Sequence, residues 1–187
     1  MKRFAGIAGV LMLAASTGFA AIPCSEMAIG GVVPGMTRKQ VVAIYGKPTK
    51  EITHVIQLSR KTINYYEMQY GTSYFCWHRF MNTGNGTSVD RVDMLKTTAN
   101  NGLGTPAGLM VGQPVSRMLE LYGKPDHMMS QRYGRYGAKA NRQTMKEFAQ
   151  GKNTAVYRGD GILCGYSLYV MAKNNKIASL AIKFGGE

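Results

Sequence analysis

The chain is 187 residues long, 45% of them hydrophobic, with 23 Lys and Arg against 10 Asp and Glu. A chain of this length buries roughly 70% of the surface it exposes when unfolded, so a real core is available, and a low-complexity or collagen-like polymer is excluded. The formal charge of +13 excludes an acidic tail protein and points to anionic partners.

Met1, Lys2 and Arg3 make a positive start, Phe4 to Ala15 is uncharged and mostly apolar, and Gly18-Phe19-Ala20 puts small residues where a signal peptidase reads. Residues 1–20 therefore read as a secretory signal peptide. The apolar run falls short of the ~20 residues that span a bilayer, and no later stretch qualifies as a transmembrane span. Losing Lys2 and Arg3 leaves 21 basic against 10 acidic side chains, so the excess belongs to the folded part. In an exported protein the partners of such a charge are anionic lipid, anionic polysaccharide or acidic protein, not nucleic acid. Residues 21–30 read as an N-terminal tail. Within it Cys24 follows Ala21-Ile22-Pro23 in place of a Leu-Ala-Gly-like triplet, so lipid attachment is not expected. Cys24, Cys76 and Cys164 share a compartment where disulfides persist. One bond plus a free thiol and three buried thiols both fit, and spacing alone does not choose a pair.

The main organising signal is internal repetition. Residues 31–48 read GVVPGMTRKQVVAIYGKP and residues 108–125 read GLMVGQPVSRMLELYGKP. Gly31, Gly35, Tyr45, Gly46, Lys47 and Pro48 recur without a gap as Gly108, Gly112, Tyr122, Gly123, Lys124 and Pro125. Each copy predicts a short helix. Thr37 with Gln40 three residues on makes a capping box, and Val41, Ile44 and Tyr45 share a face. Gly46 then offers a positive-φ stop and Pro48 prevents continuation. In the second copy Pro114 and Arg117 replace the box, although Pro suits a first helical turn.

After the first helix, Glu51 to Leu58, Ile63 to Tyr70, Ser73 to Met81 and Val89 to Leu95 read as strands, separated by Gly71-Thr72 and by Asn82 to Gly86. After the second, Ala155 to Arg158, Ile162 to Met171 and Ile177 to Phe184 do, with turns at Gly159-Asp160-Gly161 and Lys173-Asn174-Asn175. The expected fold class is α+β: two tandem repeats, residues 31–98 and 108–187, each a short helix packed on an antiparallel β-meander. Residues 99–107 read as the linker. The second repeat carries a basic insertion at about 126–153, with a helix expected over Gln143 to Gln150 and Met145, Phe148 and Ala149 on one side.

From Gly35 to Pro48 the G-M-T-x-x-x-V-x-x-x-Y-G-K-P pattern resembles the BamE (SmpA/OmlA) family of bacterial envelope proteins. The tandem arrangement is similar to the β-lactamase-inhibitory-protein architecture. The resemblance implies structural roles for Gly35, Thr37, Tyr45, Gly46 and Pro48, and for Gly112, Tyr122, Gly123 and Pro125 in the second copy. It also implies a non-enzymatic protein-binding module of the periplasm or cell envelope, associated with the outer membrane and linked to outer-membrane protein assembly or envelope integrity. The alternative it implies is a secreted or periplasmic proteinaceous inhibitor of an enzyme. The chain departs from the BamE family in lacking a lipobox and in having two units instead of one.

Motifs for chemistry are sparse. His54, His78 and His127 have no second ligand at metal-site spacing, so no metal or cofactor is expected. Cys76 and His78 share a strand face, but nothing marks a third orienting group, and P-loops and nucleophile elbows are absent. Two surfaces stand out for partner binding. One is the aromatic strand with Tyr74, Phe75, Trp77 and Phe80, where alternation puts Phe75 and Trp77 on one face and Tyr74 and Phe80 on the other. The second lies in the basic segment, where Arg132, Tyr133, Arg135, Tyr136 and Arg142 interleave charge with aromatic rings.

Overall fold

The computed structural model describes residues 21–58, 61–82, 88–130, 136–160 and 164–184, with the backbone alone at 56–58, 61–63, 79–82, 88–89 and 136–138. The signal peptide read at residues 1–20 and residues 83–86 of the expected break between strands lie outside the described residues.

Helix α1 spans Arg38–Tyr45. Its capping box forms as expected: the Gln40 amide N–H donates to Thr37 Oγ1, and Gln40 Oε1 accepts from the Thr37 backbone N–H at 2.8 Å. Helix α2 spans Val115–Tyr122 behind Pro114, with no side-chain cap. Both stop on the expected glycine, at φ 74°, ψ −163° for Gly46 and φ 69°, ψ −157° for Gly123. The φ is positive as foreseen but the ψ is extended, a combination essentially restricted to glycine. Neither eight-residue helix would hold by itself in water, so each depends on the sheet beneath it.

That sheet has nine strands, all antiparallel, in the order β1-β2-β3-β4-β9-β8-β7-β5-β6. Strands β1 (Lys50–Leu58), β2 (Lys61–Tyr70), β3 (Tyr74–Asn82) and β4 (Ser88–Thr97) form one meander. Beyond α2 come β5 (His127–Ser130), β6 (Tyr136–Ala138), helix α3 (Arg142–Ala149), β7 (Asn153–Arg158), β8 (Tyr166–Lys173) and β9 (Lys176–Phe184). Asn174 and Asn175, at φ 51° and 59°, supply the two positive-φ positions of the tight β8–β9 turn.

The segment expected as a basic insertion carries both β5 and β6. Met128 of β5 is fully buried and the strand pairs with β7 along its whole length, so part of this segment is core. Its polar and basic flanks had masked a four-residue strand. The expected helix forms as α3 behind an Asn141–Thr144 capping box, with Phe148 in the core.

All three helices lie on one face of the sheet. Val41 of α1, Met118 and Tyr122 of α2 and Phe148 of α3 join one apolar core with Tyr74, Cys76, Leu95, Tyr157, Leu168, Leu180 and Ile182. Burying a side chain such as Leu95 or Met118 stabilises the fold by roughly 1.5–3 kcal/mol. The helix starts are tied to the strands in matching ways. Gly35 N–H donates to Val92 O and Val92 N–H to Met36 O, while Gly112 N–H donates to Ile177 O and Ile177 N–H to Gln113 O. The helix ends match too, since Tyr70 OH donates to Gly46 O and Tyr157 OH to Gly123 O.

Residues 21–30 do more than a tail would. Cys24 is disulfide-bonded to Cys164, 140 residues away, and Ile22 bridges to Gly159. Met27 and Ile29 are buried in the core. Tyr45 OH donates to Gly30 O, Tyr74 OH to Ile29 O, and Tyr122 OH to Glu26 Oε2 at 2.7 Å. The segment thereby touches both helix ends.

Candidate functional site

Alternation along the strands builds the face that the helices leave open. Core-facing Tyr74, Cys76 and His78 are buried, so Phe75 and Trp77 point to the opposite side, where both are part-exposed with ring centroids 5.9 Å apart. The register places Glu67, Trp77, Met94, Lys183, Ser167 and Arg158 in one row across β2, β3, β4, β9, β8 and β7. The next row holds Gln69, Phe75, Lys96, Ala181, Tyr169 and Val156. On the β7–β9 side, Val156, Tyr169 and Ala181 are buried in a second small cluster with Met129. The accessible part is therefore centred on Trp77 and Met94.

Beside it lies an open cleft of about 650 Å³ lined by Thr53, His54, Val55, Tyr65, Trp77 and Met94. Glu67, which is 8% exposed, bonds to lining residues of the cleft. Gln69 Nε2 donates to Glu67 Oε1 at 2.7 Å, and His54 Nε2 lies 2.8 Å from Oε2. Burial by itself would raise the carboxyl pKa. The Gln69 amide, His54 and the Trp77 indole outweigh that and hold it below the usual range. Glu67 thus stays ionised, fully bonded, and fixes the Trp77 ring through its N–H.

On the same face Lys96 and Lys183 flank the β4–β9 seam. The Lys183 ammonium sits over the Tyr169 ring, 5.3 Å from its centroid. Its pKa is lowered, first by desolvation and then by the neighbouring Lys96 charge. Both effects penalise the cation, and an anion placed between the two lysines would relieve the second.

The Cys76–His78 pair lies on the helix-side face, out of solvent. Both side chains are fully buried, and burial pushes the Cys76 thiol up to about 12. His78 Nδ1 lies 3.1 Å from Asp90 Oδ1, whose other oxygen accepts from the Arg38 backbone N–H. The carboxylate accepts, so Nδ1 carries the proton, and Nε2 is buried without a partner.

Of the residues expected to bind a partner, Phe75 and Trp77 lie together on the open face. Tyr74 does not belong with them. It is 1% exposed, packed at a tilt against the Tyr45 ring and bonded to Ile29 O, because its face of β3 is the one α1 covers. Phe80 stands in β3 opposite Asn64, and its side chain is outside the described set. Arg132, Tyr133 and Arg135 lie outside the described residues, and Tyr136 opens β6 with only its backbone described. Arg142 is exposed at the start of α3, in the helix layer, and so is on the other side of the sheet from Trp77. Of the basic set, Arg142 is the residue whose side chain is described, and it does not share the Trp77 face. Glu67, His54, Met94, Lys96 and Lys183 were not foreseen, because only strand register makes them neighbours. Searches against family models, characterised proteins and solved structures returned no match to this chain.

Proposed function

We propose that this chain is a non-enzymatic, exported protein-binding module of the periplasm or cell envelope, built from two tandem BamE-like units, with its partner seated on the open face of the sheet. One observation carries the reading: a sheet covered by helices on one side keeps Phe75, Trp77 and Met94 accessible on the other, beside a cleft. Aromatic residues at the centre of a patch are the usual anchors of a protein interface. The tandem assignment is supported by the paired hydrogen bonds at Gly35 and Gly112 and at Gly46 and Gly123. It also draws support from the seam. Leu95 pairs with Ile182 and Thr97 with Leu180, so the two final strands meet about the Lys96–Ala181 pair as two equivalent edges would. Engagement of the Cys24 sulfur in a disulfide is consistent with a chain that is not lipid-anchored there.

The test is a photoreactive amino acid at position 75 in living cells, with a second at Arg142 on the helix side. The reading expects one envelope protein captured from position 75 and not from 142. No capture at 75, or equal capture at both, would refute it. The same face would serve an enzyme inhibitor. That alternative is favoured if the captured protein is a hydrolase that the purified chain inhibits stoichiometrically.

A further inference from the structure

We infer that the partner docks with an acidic side chain set between Lys96 and Lys183, its flanking apolar residues resting on Trp77, Phe75 and Met94. This rests on the protein-binding reading of the open face and adds the chemistry of the occupant. Lys96 is the cross-strand neighbour of Phe75 and of Ala181, and Lys183 that of Met94 and of Ser167. The two ammonium groups therefore border the aromatic patch on the side of the seam. Desolvation first, and then the Lys96 charge, penalise the Lys183 cation.

The other charged groups of this face reinforce the sign. Register places Lys50, Arg91 and Arg158 on it as well, all exposed. In the two described rows through Trp77 and Phe75 the acidic residue is Glu67, already bonded to Gln69, His54 and Trp77. An unsatisfied excess of positive charge around apolar anchors complements a carboxylate flanked by apolar side chains.

Trp77 is the single tryptophan of the chain, so its emission reports on this site and no other. The experiment titrates the full mature chain with a synthetic peptide of alternating glutamate and leucine, following Trp77 fluorescence at low and physiological salt. A lysine-leucine peptide is the control, and phosphatidylglycerol vesicles form a separate arm. The expected result is a saturable emission change with the acidic peptide only, weakened by salt. Affinity should fall about tenfold in K96E and in K183E, and by less than about twofold in R142E. Each variant is first checked for wild-type circular dichroism and thermal midpoint, and K96Q and K183Q replace any variant that fails. An unmoved Trp77, or an equal response in the lysine variants, overturns the inference. A vesicle response as strong as the peptide's overturns it in favour of a membrane. Failure here with successful capture at position 75 would leave the protein-binding reading standing, and the converse would leave the acidic site without its cellular protein partner.

Discussion

Replacing Cys24 and Cys164 together by serine opens a loop of 140 residues that the disulfide closes in the unfolded chain. In the chain-entropy treatment a loop of that length is worth about 5 kcal/mol at 25 °C. The native contacts around the bond do not depend on it. Ile22 N–H still donates to Arg158 O, Asp160 N–H to Ile22 O and Cys24 N–H to Asp160 Oδ1, and Met27 and Ile29 remain packed. The folded state of C24S/C164S should therefore resemble the wild type, and the loss should arise almost wholly from a freer unfolded state. Urea unfolding followed by circular dichroism should give a stability lower by about 3–5 kcal/mol, with a larger denaturant slope as the unfolded chain expands. The thermal midpoint should drop by about 10 °C, at roughly 2–4 °C per kcal/mol for a domain of this size. A difference below about 1 kcal/mol would refute the reasoning, because it would mean that the N-terminal segment does not restrain the unfolded chain.

Stability should also depend on pH through His78. Its folded pKa lies below 6.5, first because burial penalises the imidazolium, an effect Arg38 adds to and Asp90 and Glu51 oppose. The unfolded chain then binds a proton that the folded chain refuses, so stability is full above about pH 6.5 and falls as pH drops, by up to about 1.4 kcal/mol per unit. Urea midpoints of wild type and H78F between pH 5 and 8 should diverge in slope, and parallel profiles would contradict the placement of His78. Cys76 should resist iodoacetamide at pH 8 in the native protein and react once unfolded, as read by mass spectrometry, since its thiol is buried and pushed up to about 12. Removing the α1 cap with T37A should lower stability by about 1 kcal/mol in urea unfolding. M118A should cost about 2–5 kcal/mol, because Met118 is completely buried against the core.

The first two helices and their punctuation were legible because they depend on local chemistry. A capping box, a helix-ending glycine and an i, i+3, i+4 apolar face act within a few residues, and α1 and α2 stand where the pattern put them. Strand β5 was not legible. Four residues carry too few periods to separate a buried strand from a polar loop, and only its pairing with β7 reveals Met128 as core. The candidate site divides in the same way. Alternation along β3 set Phe75 and Trp77 apart from Tyr74, but which face the helices would cover was not in the spacing. That choice made Tyr74 a core residue and Trp77 an accessible one.

By itself the sequence determined the α+β class, the two helix motifs, most strands and the surplus of positive charge. The pairing of Cys24 with Cys164 and the joining of β4 to β9, which puts Lys96 beside Ala181 and Lys183 beside Met94, were decided by tertiary structure. These are contacts between residues about 85 to 140 positions apart. Nothing in the local sequence encodes such a distance, because it is fixed only when the apolar faces of both halves close over one core.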